Sequence, residues 1–211
     1  VSDLQYEANE EGTYEKAADK RIKELRKMSV AEQADSFSSI LFGGLEWDVI
    51  HRQNDKALLL SKHVLRDDSG LSPGVHDMHA QFDRNGTGTW SESSLRAWLN
   101  SEFIKRFTPE ENAMIMETSL STPDNPEYHT DGGPDTLDRV FCLSYEEMRL
   151  YASESLQAFS RSDDDWWLRT PGQNEECAMT ARHANVSIRG LLKGVTWLLT
   201  CVRPAMWITL G

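Results

Sequence analysis

The chain is short of positive charge. It carries 22 Lys+Arg against 34 Asp+Glu in 211 residues, a formal net charge of −12. A general nucleic-acid binder needs a basic face that releases counterions from phosphates, so this balance argues against that class. Long apolar runs are also missing. No stretch of about 18 apolar residues occurs, so no direct membrane insertion by a helix is expected. The opening VSDLQYEANEEG has neither a basic nor an apolar region, and no secretory leader is legible in it. Cysteine is scarce: Cys142, Cys177 and Cys201 are an odd number at wide spacing. They form no CxxC and no metal knuckle, and buried free thiols are expected. Internal repeats and low-complexity stretches are absent too. What remains is 39% hydrophobic and 27% charged, an ordinary globular balance. The length suits one domain with an extension, large enough to bury a core without disulfides.

The charge is unevenly placed. Residues 1–35 hold 9 acids and 6 bases, residues 36–165 hold 23 and 11, and residues 166–211 hold 2 and 5. The C-terminal fifth is therefore net positive on an acidic body. Buried strands that lack acids would give this pattern, and so would a ligand-facing surface.

Periodicity divides the chain near residue 38. Residues 14–28 read as a helix, with Ala18, Ile22, Leu25 and Ser29 on one narrow stripe. Ser29-Val-Ala-Glu32 has the capping-box pattern that starts a second short helix. From Ile40 the pattern is β-rich: ILFGGLEWDVI and KALLLSKHVL read as a hairpin around Asn54-Asp55. SSLRAWLNSEFIKRF reads as a helix with Leu95, Trp98, Leu99 and Phe103 inward. Thr108-Pro109-Glu110-Glu111 starts another, with Thr as N-cap and Glu at N3. The following STPDNPEYHTDGGPDTLDR is expected to be irregular, VFCLS a short strand, and Ser144 to cap a helix. DDDWWLRTPG, AMTARHANVSIRG, GVTWLLT and CVRPAMWITL complete the chain as short strands and turns. This order predicts an α+β fold: short antiparallel strands, two or three helices and long loops, with an N-terminal helical extension. The expected organisation is 1–38 as extension or linker and 39–211 as the domain.

Several residue clusters bear on chemistry. Asp83-x-Asn85-x-Thr87-Gly88 begins like a calcium loop, but Ser94 stands where a bidentate Glu is needed, and a capped turn is the simpler expectation. Asp131, Asp135 and Asp138, with His129 and two glycines, form an oxygen-rich loop that would suit calcium; local Asx turns would use the same residues. No other cofactor is implied. His63, His76 and His79 lie among Asp67, Asp68 and Asp77, but Ser72-Pro73-Gly74 marks a loop and a solvated surface. Asp163, Asp164 and Asp165 beside Trp166 and Trp167 invite a glycosidase reading, although in a strand one of the tryptophans must face the core. In 178–183, Ala178, Thr180 and Arg182 alternate with Met179, Ala181 and His183, and neither face is cleanly apolar.

WWLRTPG (166–172) and CVRPAMWITL (201–210), with FGGLEWDVI, KALLLSKHVL, LRAWLNSEF and NPEYHTDGGPDTLDRVFCLS, resemble a bacterial domain family of unknown function. The likeness runs from about residue 40 to residue 210. The end-blocks also resemble C-type-lectin-like folds of the formylglycine-generating-enzyme type, on which the variable proteins of diversity-generating retroelements are built. Here Cys201 stands where relatives carry Gly before VRP. The resemblance implies a C-type-lectin-like fold in which Trp166, Trp167, Arg169, Pro171, Gly172, Val202, Arg203, Pro204 and Trp207 are scaffold. Residues 173–200 would be a variable-type display segment. Its expected ligand-binding residues are Asn174, Glu175, Met179, Arg182, His183, Asn185, Ser187, Arg189, Leu191, Lys193 and Trp197. They mix amide, cationic and aromatic groups, and Trp and Arg dominate recognition hot spots.

The function expected is therefore non-enzymatic binding of a protein or glycan ligand, without nucleic acid, with the N-terminal helix as a linker, an oligomerisation arm or the tether to another module. Cell-surface, secreted and phage-associated locations all fit. The rivals are a formylglycine-generating-type or glycan-active enzyme, which would need a close Cys177–Cys201 pair or convergent carboxylates, and a structural module of a surface or phage protein.

Overall fold

A computed structural model describes residues 27–36, 39–65, 82–83, 88–154, 165–181, 193–194 and 200–210, with Lys23 and Gly86. The helix expected over 14–28 lies outside these, apart from Lys23, Lys27 and Met28. Helix α1 (Val30–Ser36) begins as expected. The Ser29 amide and hydroxyl both donate to the Glu32 carboxylate, and the Glu32 amide donates back to the Ser29 hydroxyl. These bonds hold the Glu32 carboxyl below its ordinary pKa.

The main sheet contains β1 (Ser39–Phe42), β2 (Leu45–Gln53), β3 (Lys56–Ser61) and β9 (Ala205–Thr209), in that order and antiparallel throughout. ILFGGLEWDVI is thus not one strand but a hairpin of its own, folded at Gly43-Gly44. Both glycines have positive φ, +57° and +73°, as a two-residue turn matched to strand twist requires. A Cβ on Gly43 would lie 2.4 Å from the Phe107 ring, so the turn also depends on close packing. The Asn54-Asp55 turn is as expected, with Asn54 at φ 56°. Strand β9 arrives from the far end of the chain and pairs Trp207 with Leu58.

Helix α2 (Ser94–Ser101) is capped by the Ser93 hydroxyl, which accepts from the Arg96 amide. It buries Leu95 and Leu99 and half-buries Trp98, then tightens to a 3-10 turn at Phe103–Arg106. Helix α3 (Pro109–Met114) has both bonds of the Thr108–Glu111 capping box. Helix α4 (Tyr145–Glu154) has the same reciprocal pair between Ser144 and Glu147.

Two short elements differ from expectation. VFCLS is not a strand: Phe141 makes a single bridge to Ala205. Within the loop expected to be irregular, β5 (Thr136–Asp138) pairs with β4 (Thr118–Leu120). Each outcome is set by a partner distant in sequence, which local pattern does not reveal. A third sheet orders β6 (Trp166–Pro171), β7 (Cys177–Ala181) and β8 (Lys193–Gly194), antiparallel. The architecture is α+β, as expected, with four α-helices among the described residues.

One apolar core joins these parts. Phe42, Trp47, Phe103 and Phe107 form an aromatic cluster behind the main sheet, with centroids 5.2–6.5 Å apart. Phe82 connects Trp90 to Trp167 at 6.0 and 5.6 Å, carrying the core to the third sheet.

Candidate functional site

The C-terminal blocks form the inside of the molecule. All six residues of β6 are buried, with Trp166 at 1% and Trp167 at 0% exposure. Both tryptophans therefore face protein, and neither is a platform beside Asp165. That removes the aromatic basis of a glycosidase reading. Arg169 is buried as well. It holds the Glu147 carboxylate through both terminal nitrogens and donates to the carbonyls of Cys142 and Ser121, at 3.0 Å each. Arg203 is fully buried above the Trp166 ring, 5.2 Å from its centroid. It donates to the Ser61 and Lys62 carbonyls and faces the buried Asp48 carboxylate at 3.7 Å. Burying a charge is costly unless it is paired and hydrogen-bonded, and both guanidiniums meet that condition.

Between these blocks the chain reaches the surface. Asn174 and Glu175 are exposed in the turn from β6 to β7. The Asn174 side chain accepts from the Glu176 amide, and the Glu175 carbonyl accepts from the Gly88 amide, so the turn is fixed at both levels. Met179 differs from expectation. It sits mid-strand in β7 at 3% exposure, because β7 is covered on both faces. Lys193 lies in β8 opposite Ala178. Arg182, His183, Asn185, Ser187, Arg189, Leu191 and Trp197 lie outside the described residues.

The three aspartates proposed for calcium do not converge. Asp138 is 1% exposed. Its carboxylate accepts from Arg96 Nε at 2.7 Å, Trp90 Nε1 at 2.9 Å and the Thr136 hydroxyl at 2.7 Å. Asp131 caps the Gly133 amide, an Asx turn. Among the described residues no group of three His, Cys, Asp or Glu side chains could hold a metal ion. Asp83 is an internal cap that accepts from the Ser94 amide; Asn85, Thr87, His76, His79, Asp163 and Asp164 lie outside the described residues.

The cysteines are free and buried. Burial pushes the Cys142 thiol up to about 12, and burial and then the neighbouring Glu176 raise that of Cys177. Neither environment favours the thiolate that redox and nucleophilic chemistry use.

A feature that sequence pattern did not single out is a cleft of about 230 Å³ at the end of β6. One wall is the loop at Asn125–Tyr128. The Asn125 carbonyl oxygen of the side chain accepts from the Glu127 and Tyr128 amides, and its Nδ2 donates to the Pro171 carbonyl at 2.7 Å. The other wall is the N-terminal part of α4, with Tyr145 and Arg149 one turn apart. The Tyr145 amide donates to the Thr170 hydroxyl, so β6 anchors both walls. Met179, from the neighbouring strand, lines the cleft between them. Arg149 lies over the Tyr145 ring at 5.7 Å, and Tyr128 is 39% exposed. The Asn-Pro pair was the available sequence signal, since it marks a turn. Nothing in the pattern could bring that turn against Tyr145.

A family profile for a domain of unknown function (DUF6273) matches residues 54–210. The chain belongs to this family. No curated protein and no solved structure matches it.

Proposed function

We propose that the domain is a non-enzymatic ligand-binding protein on a C-type-lectin-like scaffold, a variable protein of a diversity-generating retroelement or a close relative. One observation carries this reading: two fully internal blocks, 166–172 and 200–206, frame a segment whose first turn is exposed. A frame fixed by buried tryptophans and paired arginines lets intervening side chains change without refolding. Arg169 and Arg203 are internal, so of the bases in 166–211 it is Arg182, Arg189 and Lys193 that would meet an acidic protein or anionic glycan. The raised thiol pKa values weigh against the formylglycine-type alternative.

Sequencing of the DNA around the coding region tests the proposal. A near-repeat of the stretch encoding 173–200, differing at template adenines and adjacent to a reverse transcriptase, is expected. Absence of both sinks the diversification reading. Binding itself is tested by screening the protein and a variant with Asn174, Glu175, Arg182, His183, Arg189, Lys193 and Trp197 cut to alanine against protein and glycan arrays; equal profiles count against a display surface.

A further inference from the structure

The cleft at the end of β6 has the makings of a site of its own, sharing Met179 with the segment 173–200. Its volume of about 230 Å³ lies below the roughly 300–1,000 Å³ typical of drug-sized ligand pockets, so it fits a single small molecule and not an oligomer.

Its lining is chemically divided. Tyr145 is 4% exposed, and among the described residues its hydroxyl has no hydrogen-bond partner. Arg149 forms no ion pair among them either, although the molecule is strongly acidic. Its guanidinium is positioned by the Tyr145 ring beneath it. The cleft therefore offers a cation and a hydroxyl donor for a carboxylate. Glu127 lines it too and supplies the opposite charge. Met179 and the partly exposed Tyr128 ring add an adaptable apolar surface that favours an aromatic or thioether group.

A neutral sugar fits this set poorly. Sugar hydroxyls need several free amide or carboxylate partners, and the Asn125 amide is already spent on the Pro171 carbonyl and two backbone amides. A simple anion would be repelled by Glu127. We propose that the cleft binds a zwitterion, a free aromatic α-amino acid. Its carboxylate meets Arg149 and the Tyr145 hydroxyl, its ammonium meets Glu127, and its ring lies against Met179 and Tyr128. This does not depend on 173–200 being a recognition surface.

Calorimetric titration of the full chain with L-phenylalanine tests it, with phenethylamine (no carboxylate), N-acetyl-L-phenylalanine (no ammonium) and N-acetylglucosamine as comparison compounds. Saturable binding of L-phenylalanine is expected. Each truncated compound should bind about tenfold or more weakly, the scale of one charged hydrogen-bonded contact. Arg149→Met and Glu127→Gln alter exposed positions, so both proteins should fold. Each should weaken L-phenylalanine about tenfold. Arg149→Met should leave phenethylamine unchanged, because that compound never used the guanidinium. No saturable binding by the folded wild-type chain overturns the proposal. So does equal binding of the acetylated compound, or tighter binding of the sugar.

Discussion

The frame at 166–172 and 200–206 and the loop at 121–135 are held in opposite ways. The frame is held by burial. Its tryptophans have no exposed surface to lose, and Arg169 and Arg203 tie sequence-distant carbonyls and carboxylates together inside the core. The loop is held locally. Asp131 caps Gly133 and Asn125 caps Glu127 and Tyr128, while Asp124 accepts from Gly132. Most of its residues stay exposed. Buried charge gives one rigid arrangement, whereas capped turns give a defined wall that leaves side chains free to meet a ligand.

The sharpest way to break this comparison is Arg203→Leu. It leaves Asp48 buried opposite an apolar side chain, and removing one partner of a buried pair costs about 3–5 kcal/mol. At about 2–4 °C per kcal/mol for a domain this size, thermal unfolding should shift down by about 6–20 °C. A shift of a degree or two would mean that the frame does not rely on this charge.

Asn125→Ala should cost less, about 1–3 kcal/mol, since it removes the cap of two amides and the tie to Pro171. Its larger effect should be local: hydrogen exchange at the Glu127 and Tyr128 amides rises while β6 stays protected. Equal loss of protection in β6 would show that loop and frame form one cooperative unit. Thr108→Ala, which breaks a surface capping box, should cost about 1 kcal/mol by urea denaturation and leave both regions intact.

The smallest effect at neutral pH concerns Cys142. The unfolded chain gives up this proton near the ordinary 9.0, and the folded chain holds it to about 12. Above pH 9 the unfolded state therefore binds fewer protons, and stability should fall as pH rises from about 9 to about 12. Below pH 9 it should contribute no slope. Cys142→Ala should flatten the alkaline limb, and a limb of unchanged steepness would show that other groups cause it. Native Cys142 should also resist alkylation until the protein is unfolded.

Legibility in the sequence followed the range of the interaction. The caps at Ser29, Thr108 and Ser144 were readable because donor and acceptor lie three residues apart. The internal role of the WWLRTPG and VRP blocks was readable from resemblance. The Gly43-Gly44 turn was hidden inside a run that looked like one strand. The metal expectation at Asp131, Asp135 and Asp138 came from spacing, and tertiary contacts with Arg96 and Trp90 claimed Asp138. Met179 looked like one of an ambiguous alternating pair. Only the cover over both faces of β7 decided that it is buried, and only the approach of Asn125–Tyr128 and α4 placed it in a cleft.

The sequence by itself determined the α+β class, the helix starts, the second hairpin turn and the acidic body with its basic end. Those depend on periodicity, short-range hydrogen bonds and composition, all of which are local. Tertiary structure alone decided which charges are internal and which residues share a surface. The Arg203–Asp48 pair and the cleft of Tyr128, Tyr145 and Met179 join segments far apart in the chain. Burial and pairing, not residue type, fix what a charged or apolar side chain does there.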